Sequence, residues 1–249
     1  MPEPSYSSER PEASTDAPRA DGRVGRRIPE ATVSRLPLYY RSLLAVAADR
    51  TTTVSSERIA ELAHVSAAQV RKDLSRLGSY GTRGVGYEVP QLLRLIRSEL
   101  GLNETWRVIV VGAGNLGRAL SQYEGFRSND FEISALVDSD PLKIGTNVGK
   151  LTIESIDDLD SIVAERDIRI SILATPAHAA QQVADRLVEA GVLSIMNLAP
   201  AILDVPAGVL VRKADLATEL QILSFYQHHG QVDLDTSDTV NGGGVPADQ

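Results

Sequence analysis

The chain has 249 residues, 43% of them hydrophobic, no cysteine and a formal net charge of −8. Without cysteine there are no disulfides, thiolate metal sites or thiol redox chemistry, so any response to redox state has to come through a ligand. No apolar run approaches the roughly 18 residues a membrane span needs, and the polar stretch 1–27 has no signal-peptide core, so a soluble, cytoplasmic protein is expected.

Residues 1–28 are rich in Pro, Ser, Glu and Arg and read as a disordered tail. The charge is uneven beyond it. Residues 29–89 hold eight Lys or Arg against six Asp or Glu, whereas residues 90–249 hold twelve against twenty-two. A basic head on an acidic body is a weak pointer to nucleic acid.

In residues 33–48, Leu36, Tyr39, Tyr40, Leu43, Leu44 and Ala47 recur at three- and four-residue steps, which predicts an amphipathic helix. Residues 49–53 break it. Ser55 or Ser56 can cap a second helix running to about Ala63. Ser66 then opens a third, and Ser66 with Gln69 has capping-box spacing. Val70, Leu74 and Leu77 form its apolar stripe, and Gly78 suits the left-handed position after its end. Glycines at 81, 84 and 86 alternate with Tyr80, Thr82, Val85 and Tyr87, which predicts a β-hairpin over 79–89. Pro90 opens a further helix that ends at Gly101 and joins two domains.

Three short helices and a glycine-rich hairpin are the parts of a winged helix-turn-helix. The third helix is then the one that enters the major groove. Burying Val70, Leu74 and Leu77 leaves Gln69, Lys72, Ser75 and Arg76 on its exposed face. Gln pairs with adenine and Lys with guanine. Arg71 and Arg76 suit phosphates, and Arg83 on the slim hairpin suits a narrow minor groove. A small helical dimerisation module with a solvated basic face is the plainer alternative.

From Trp106 the pattern becomes strand–helix alternation. Strands are predicted at 107–111, 131–137, 168–173, 193–196 and 209–211, and helices at 116–122 and 177–190. Residues 153–164 hold helical material. This is an α/β arrangement with a parallel sheet covered on both faces. A last helix, from Asp215 to about His229, has no strand after it, and 231–249 reads as a second disordered tail. The domains are therefore 29–89 for the head, 90–104 for a connecting helix, 105–213 for the dinucleotide-binding body and 214–230 for the last helix.

The first body strand runs straight into Gly112-Ala113-Gly114-Asn115-Leu116-Gly117. A strand, this glycine spacing and a helix start are the context a dinucleotide fingerprint requires. Gly112 permits the tight turn, Gly114 admits a pyrophosphate to the backbone, and Gly117 lets helix and strand pack closely. The second strand ends at Asp138, where a carboxylate bonds the adenosine ribose. Ser139 and Asp140 follow, with no Arg for a 2′-phosphate, so NAD(H) is favoured over NADP(H).

These residues together resemble the bacterial redox-sensing repressor family Rex. The likeness lies in Val70-Arg71-Lys72-Asp73-Leu74, in 78–87, in Gly112–Gly117, in Tyr123-Glu124-Gly125-Phe126, in Asp138-Ser139-Asp140-Pro141 and in Asn197-Leu198-Ala199-Pro200. It runs from about residue 29 to 226. The resemblance implies a homodimeric repressor of palindromic, A·T-rich operators, with a winged-helix head, a Rossmann body and a C-terminal helix exchanged between subunits. NADH would release the operator and NAD⁺ would compete for the site. It also implies that Arg41 and Asp215 pair across subunits in one state, and that Tyr123 joins both the cofactor set and the switch. Leu216 stands where a relative has Phe, so an aromatic contact to the nicotinamide is missing.

Two other readings stay open. An NAD-dependent oxidoreductase would need an acid or base near the nicotinamide. Of the four histidines only His178 lies near a strand's end, and its position is the first turn of the next helix. A CoA-binding module shares the Rossmann core, but the 3′-phosphate of coenzyme A wants a cation where this chain offers Asp138.

Overall fold

A computed structural model describes residues 28–79 and 81–229. The chain divides into two units, one up to Gly101 and one from Leu102.

The first unit holds α1 (Glu30–Ala48), β1 (Thr53–Val54), α2 (Ser56–Ala63), α3 (Ala67–Arg76), β2 (Tyr87–Glu88) and α4 (Val89–Glu99). Its core gathers Leu36, Tyr39 and Leu43 from α1, Ile59 from α2, Val70 and Leu74 from α3, and Leu92 and Ile96 from α4. Burial of each such side chain is worth about 1.5–3 kcal/mol. The fourth helix is thus part of the head's core rather than a separate connector. Caps form as the spacing predicts on one side only. Ser55 Oγ accepts from the Arg58 amide and Ser66 Oγ from the Gln69 amide, both at 3.2 Å. The Gln69 side chain turns instead to Asp73, so the reciprocal half of the capping box is absent. Leu77 is only half-buried, and Asp73 takes a place in the interior beside Val70 and Leu74.

The predicted hairpin is rearranged. Among the described residues of 79–89, Thr82 and Gly86 form an isolated antiparallel bridge. The strand that follows pairs antiparallel with β1, Val54 opposite Tyr87 and Thr53 opposite Glu88. The β-branched run before α2, read as a mere break, is therefore half of a small sheet. Gly86, at φ +97°, sits where a side chain would collide with the carbonyl oxygen of Val54.

The second unit carries β3 (Trp106–Val111), α5 (Asn115–Ser121), α6 (Glu124–Arg127), β4 (Phe131–Asp138), β5 (Asn147–Val148), β6 (Leu151–Ser155), α7 (Leu159–Glu165), β7 (Ile170–Leu173), α8 (Ala177–Glu189), β8 (Ser194–Asn197), β9 (Leu210–Lys213) and α9 (Leu216–His229). Seven strands form one sheet in the order β5-β6-β4-β3-β7-β8-β9, parallel except for β5. Strand alternation builds two cores. Ile109, Val111 and Val137 face one layer with Leu159, Ala180 and Leu187, whereas Val108, Val110 and Leu136 face the other. An extra residue at Ser134 shifts the β3–β4 register, so Ile133 and Ala135 pack on opposite faces.

Residues 153–164 are not helical throughout. They begin in β6, which pairs with β4, pass a single 3₁₀ turn at Ile156–Asp158 and only then enter α7. The order reverses at β3, whose neighbours β4 and β7 are reached by opposite routes. In open α/β sheets such a reversal leaves a crevice at the strands' carboxyl ends.

Candidate functional site

The crevice is built from the loops after β3, β4 and β7. Gly112 leaves β3 at φ +104°, and a Cβ there would lie 2.5 Å from the carbonyl oxygen of Ala174. A Cβ on Gly117 would collide with the carbonyl oxygen of Gly112. These two glycines are needed by the protein's own packing. Gly114 differs, because a methyl there would meet no atom within 4 Å. Its bare backbone borders open space, where an incoming diphosphate could approach. Ala113, Asn115 and Leu116 complete the turn. The Ala113 amide is committed to Asp138, and the Ala113 carbonyl accepts from Arg118 Nε at 3.0 Å.

Asp138 closes β4 and is buried. Its Oδ2 accepts from the Ala113 amide at 2.7 Å and from Lys143 Nζ at 3.1 Å, and its Oδ1 accepts from the Asp140 amide at 2.8 Å. Burial alone would raise its pKa, but the Asp140 amide, Lys143 and the Ala113 amide together hold it below the ordinary carboxylate range. Oδ1 keeps a lone pair for a ribose hydroxyl. Thr175, whose methyl stands beside Gly112, has a buried Oγ1 with no hydrogen-bond partner among the described residues. An orphaned hydroxyl beside a bare glycine turn fits a ligand with hydroxyl and phosphate oxygens. Asn197 is buried at the end of β8, where it accepts from the Ala199 amide and donates to the Ala201 carbonyl, both at 2.9 Å.

Tyr123 lies elsewhere. It follows α5, a helix about 10 Å long, at the far end from the glycine turn. There it packs edge-on against Phe126 and lines a cavity of about 970 Å³ with Arg107, Phe131 and Lys150 at the amino ends of the strands. Within one chain it is not brought to the Gly112–Asp138 crevice. His178 is exposed in the first turn of α8, as its position in the sequence implies.

In the head, α3 is held by a buried carboxylate. Asp73 receives Thr32 Oγ1 at 2.9 Å, Arg35 Nε at 2.7 Å, Tyr39 Oη at 2.8 Å and Gln69 Nε2 at 2.9 Å. Burial would raise its pKa, but the bonds from Arg35, Tyr39, Thr32 and Gln69 outweigh it and the net direction is down. Burial, and then the neighbouring Asp73 carboxylate, push the Tyr39 phenol up to about 12. Arg76 Nη1 donates to Thr32 Oγ1 at 2.8 Å. Gln69 and Arg76, both expected on the DNA-reading face, are thus half-buried and engaged inside the head.

Ala68, Arg71 and Lys72 are the exposed residues of α3, with Ser75 half-buried beside them. Arg71 Nη1 bonds Glu57 at 2.9 Å and Ser56 Oγ at 2.8 Å, in an exposed pair of the kind worth little in water. Ser75 Oγ donates back to the Lys72 carbonyl at 2.8 Å. The Lys72 ammonium and the Arg83 guanidinium have no side-chain partner among the described residues. Apolar periodicity had no means of revealing Asp73, because a carboxylate on a buried stripe looks like an interruption until its partners are known.

Arg41 is exposed on α1. Asp215 precedes α9, accepts from the amides of Ala217 and Thr218 and bonds Lys213 Nζ at 2.9 Å. The Lys213 bond and the Thr218 amide lower its pKa to about 2. The helix it caps presents Leu216, Leu220 and Leu223 at 71%, 66% and 62% exposure, and none of its residues is buried.

The chain matches the model of the "CoA binding domain" over residues 103–201 and that of the "Putative DNA-binding protein N-terminus" over residues 27–75. It is 54% identical over 202 residues to the redox-sensing transcriptional repressor Rex of Streptomyces griseus, covering 81% of this chain and 80% of that one. To the Rex of Carboxydothermus hydrogenoformans it is 50% identical over 201 residues, 81% and 97% of the two chains. Among solved structures it is similar to RSP, a Rex-family repressor, in complex with β-NAD⁺ and operator DNA. The TM-score is 0.77 at 33% identity, over 81% of this chain and 93% of that one. RSP in complex with β-NADH matches at a TM-score of 0.74 and 32% identity, over 82% and 95%. With both units matched and curated relatives this similar over four-fifths of the chain, the protein belongs to the redox-sensing transcriptional repressor family Rex.

Proposed function

We propose that this protein is a transcriptional repressor whose hold on operator DNA is set by the NADH/NAD⁺ ratio. It has no catalytic role. The observation that carries the reading is the crevice at β3. It combines a bare Gly114 backbone, the ionised Asp138 with an open lone pair and the orphaned Thr175 hydroxyl. That crevice occurs in a chain whose structural relative has been seen with β-NAD⁺ and operator DNA and with β-NADH. When bound, the cofactor would supply only its change of ring charge. The neutral dihydronicotinamide favours an apolar pocket that the cationic ring resists.

The cofactor-binding set is Gly112–Gly117 with Asp138, to which Thr175 is added. Lys72 is the residue free to read a base edge, while Arg71, Ser75 and Arg83 hold backbone phosphates or the minor groove. Gln69 and Arg76 serve the reading helix by fixing it through Asp73 and Thr32. The protein acts as a homodimer in the cytoplasm, exchanging α9 between subunits. The exposed leucines of α9 support that exchange, since a helix this apolar needs a cover. In the dimer Arg41 and the partner's Asp215 pair in one state, and Tyr123 engages the partner in the other. A ligand moves such an equilibrium only by its differential affinity for the two states.

The test is an anisotropy titration of the full chain against a palindromic, A·T-rich duplex at fixed salt, with NADH or NAD⁺ added. Release by micromolar NADH and not by NAD⁺ is the expected result. Operator binding that ignores both dinucleotides would overturn the sensing role.

A further inference from the structure

Asp138 does not stand alone at the end of β4. Lys143 Nζ lies 3.1 Å from Asp138 Oδ2 and 3.6 Å from Asp140 Oδ2. The lysine is presented from a tight turn. Its amide donates to the Asp140 carbonyl at 2.9 Å, the Leu142 amide donates to Asp140 Oδ1 at 3.0 Å, and the Gly145 amide donates to the Ile153 carbonyl at 2.8 Å, which ties the turn to β6. The ammonium is therefore aimed at the acidic corner by backbone that both neighbouring strands hold.

We propose that Lys143 is a latent receptor for a 2′-phosphate that Asp138 keeps neutralised, so that Asp138 excludes NADPH both by its own charge and by occupying the cation beside it. The proposal rests on the dinucleotide reading of the β3 crevice. In NADH the ribose 2′-oxygen is a hydroxyl that donates to the carboxylate. In NADPH the same oxygen carries about two negative charges and only acceptor oxygens. Two carboxylates surround one ammonium here, so the corner is net negative and repels the phosphate. Removing Asp138 takes away that excess negative charge and leaves one ammonium beside one carboxylate. Lys143 then faces Asp140 alone, half-exposed and within a side-chain swing of the ribose edge, where it can make a charge-assisted hydrogen bond.

The experiment measures NADH and NADPH affinity calorimetrically on the full-length protein, on Asp138→Ser, and on Asp138→Ser combined with Lys143→Met. The unmodified protein is expected to prefer NADH by about a hundredfold or more. Asp138→Ser should gain affinity for NADPH, and Lys143→Met in that background should remove about ten- to a hundredfold of it, the worth of one hydrogen bond to a charged group. NADPH affinity that does not rise in Asp138→Ser, or that survives the loss of Lys143, would overturn the proposal. Should Asp138→Ser fail to fold by circular dichroism, Asp138→Asn keeps the shape of the side chain and serves the same cycle. An unmodified protein that binds neither NADH nor NAD⁺ would instead overturn the dinucleotide reading itself.

Discussion

Gln69 Nε2 donates to the buried carboxylate of Asp73 at 2.9 Å, one turn further along α3. A side chain that belongs on a reading face by helical period is thereby committed to the interior of its own domain. The same carboxylate collects Thr32, Arg35 and Tyr39 from α1, so the angle of α3 on α1 is set by one charge.

Lys72 and Gln69 should therefore separate in mutagenesis. Lys72→Ala is expected to weaken operator binding by about 1–3 kcal/mol and to relax the preference at one base position. Gln69→Ala should leave base preference unchanged and lower the stability of the head by about 1.5–3 kcal/mol, the worth of one hydrogen bond to a charged group. Binding to a panel of single-base operator variants, alongside chemical denaturation, distinguishes the two.

Asp73 controls both stability and its pH dependence. Asp73→Ala strands Arg35 and should cost about 3–5 kcal/mol, abolishing operator binding while NADH still binds the other unit. The folded carboxylate titrates below its unfolded value of about 3.9, and Asp138 shifts in the same direction. A depressed carboxylate stabilises the fold above the unfolded pKa and loses that contribution as pH falls through the folded one. Denaturation midpoints should be flat from about pH 8 to 5 and fall below about pH 4. A midpoint that rises on acidification would refute the assignment.

Gly114 and Gly117 look alike in the motif and should behave differently. Gly114→Ala meets no protein atom, so the variant should fold, bind operator and lose its response to NADH. Gly117→Ala drives a methyl into the Gly112 carbonyl and should destabilise the whole second unit. Thermal melts of both variants, with and without NADH, check the contrast; an NADH-dependent rise in Tm for Gly114→Ala would sink the site assignment.

A further prediction concerns α9. If its leucines are covered by a second copy, Leu220→Glu combined with Leu223→Glu should convert a dimer into a monomer and remove high-affinity binding to a two-half-site operator. Light scattering decides the oligomeric state. A variant that stays dimeric would mean that α9 is not the exchanged element.

Local requirements were legible in the sequence. The turn at Gly112 needs a positive φ, Gly117 needs close backbone approach and Gly78 needs a left-handed cap, and each is satisfied by residue type at a fixed spacing. The N-caps at Ser55 and Ser66 are equally short-range. Strand–helix alternation revealed the parallel sheet because both faces of its central strands are apolar. What depends on residues far apart in the chain was settled by the tertiary structure. The run before α2 becomes a strand only because residues more than thirty positions later pair with it. Ile153 lies in a strand at the sheet's margin, where too few residues alternate for the period of two to show. Gln69, Arg76 and Lys72 have the same chemistry in the sequence whether they face DNA or Asp73. Only the approach of α1, which brings Thr32, Arg35 and Tyr39 to a buried carboxylate, decides which of them remain free, because an ionised group taken from water must be surrounded by donors.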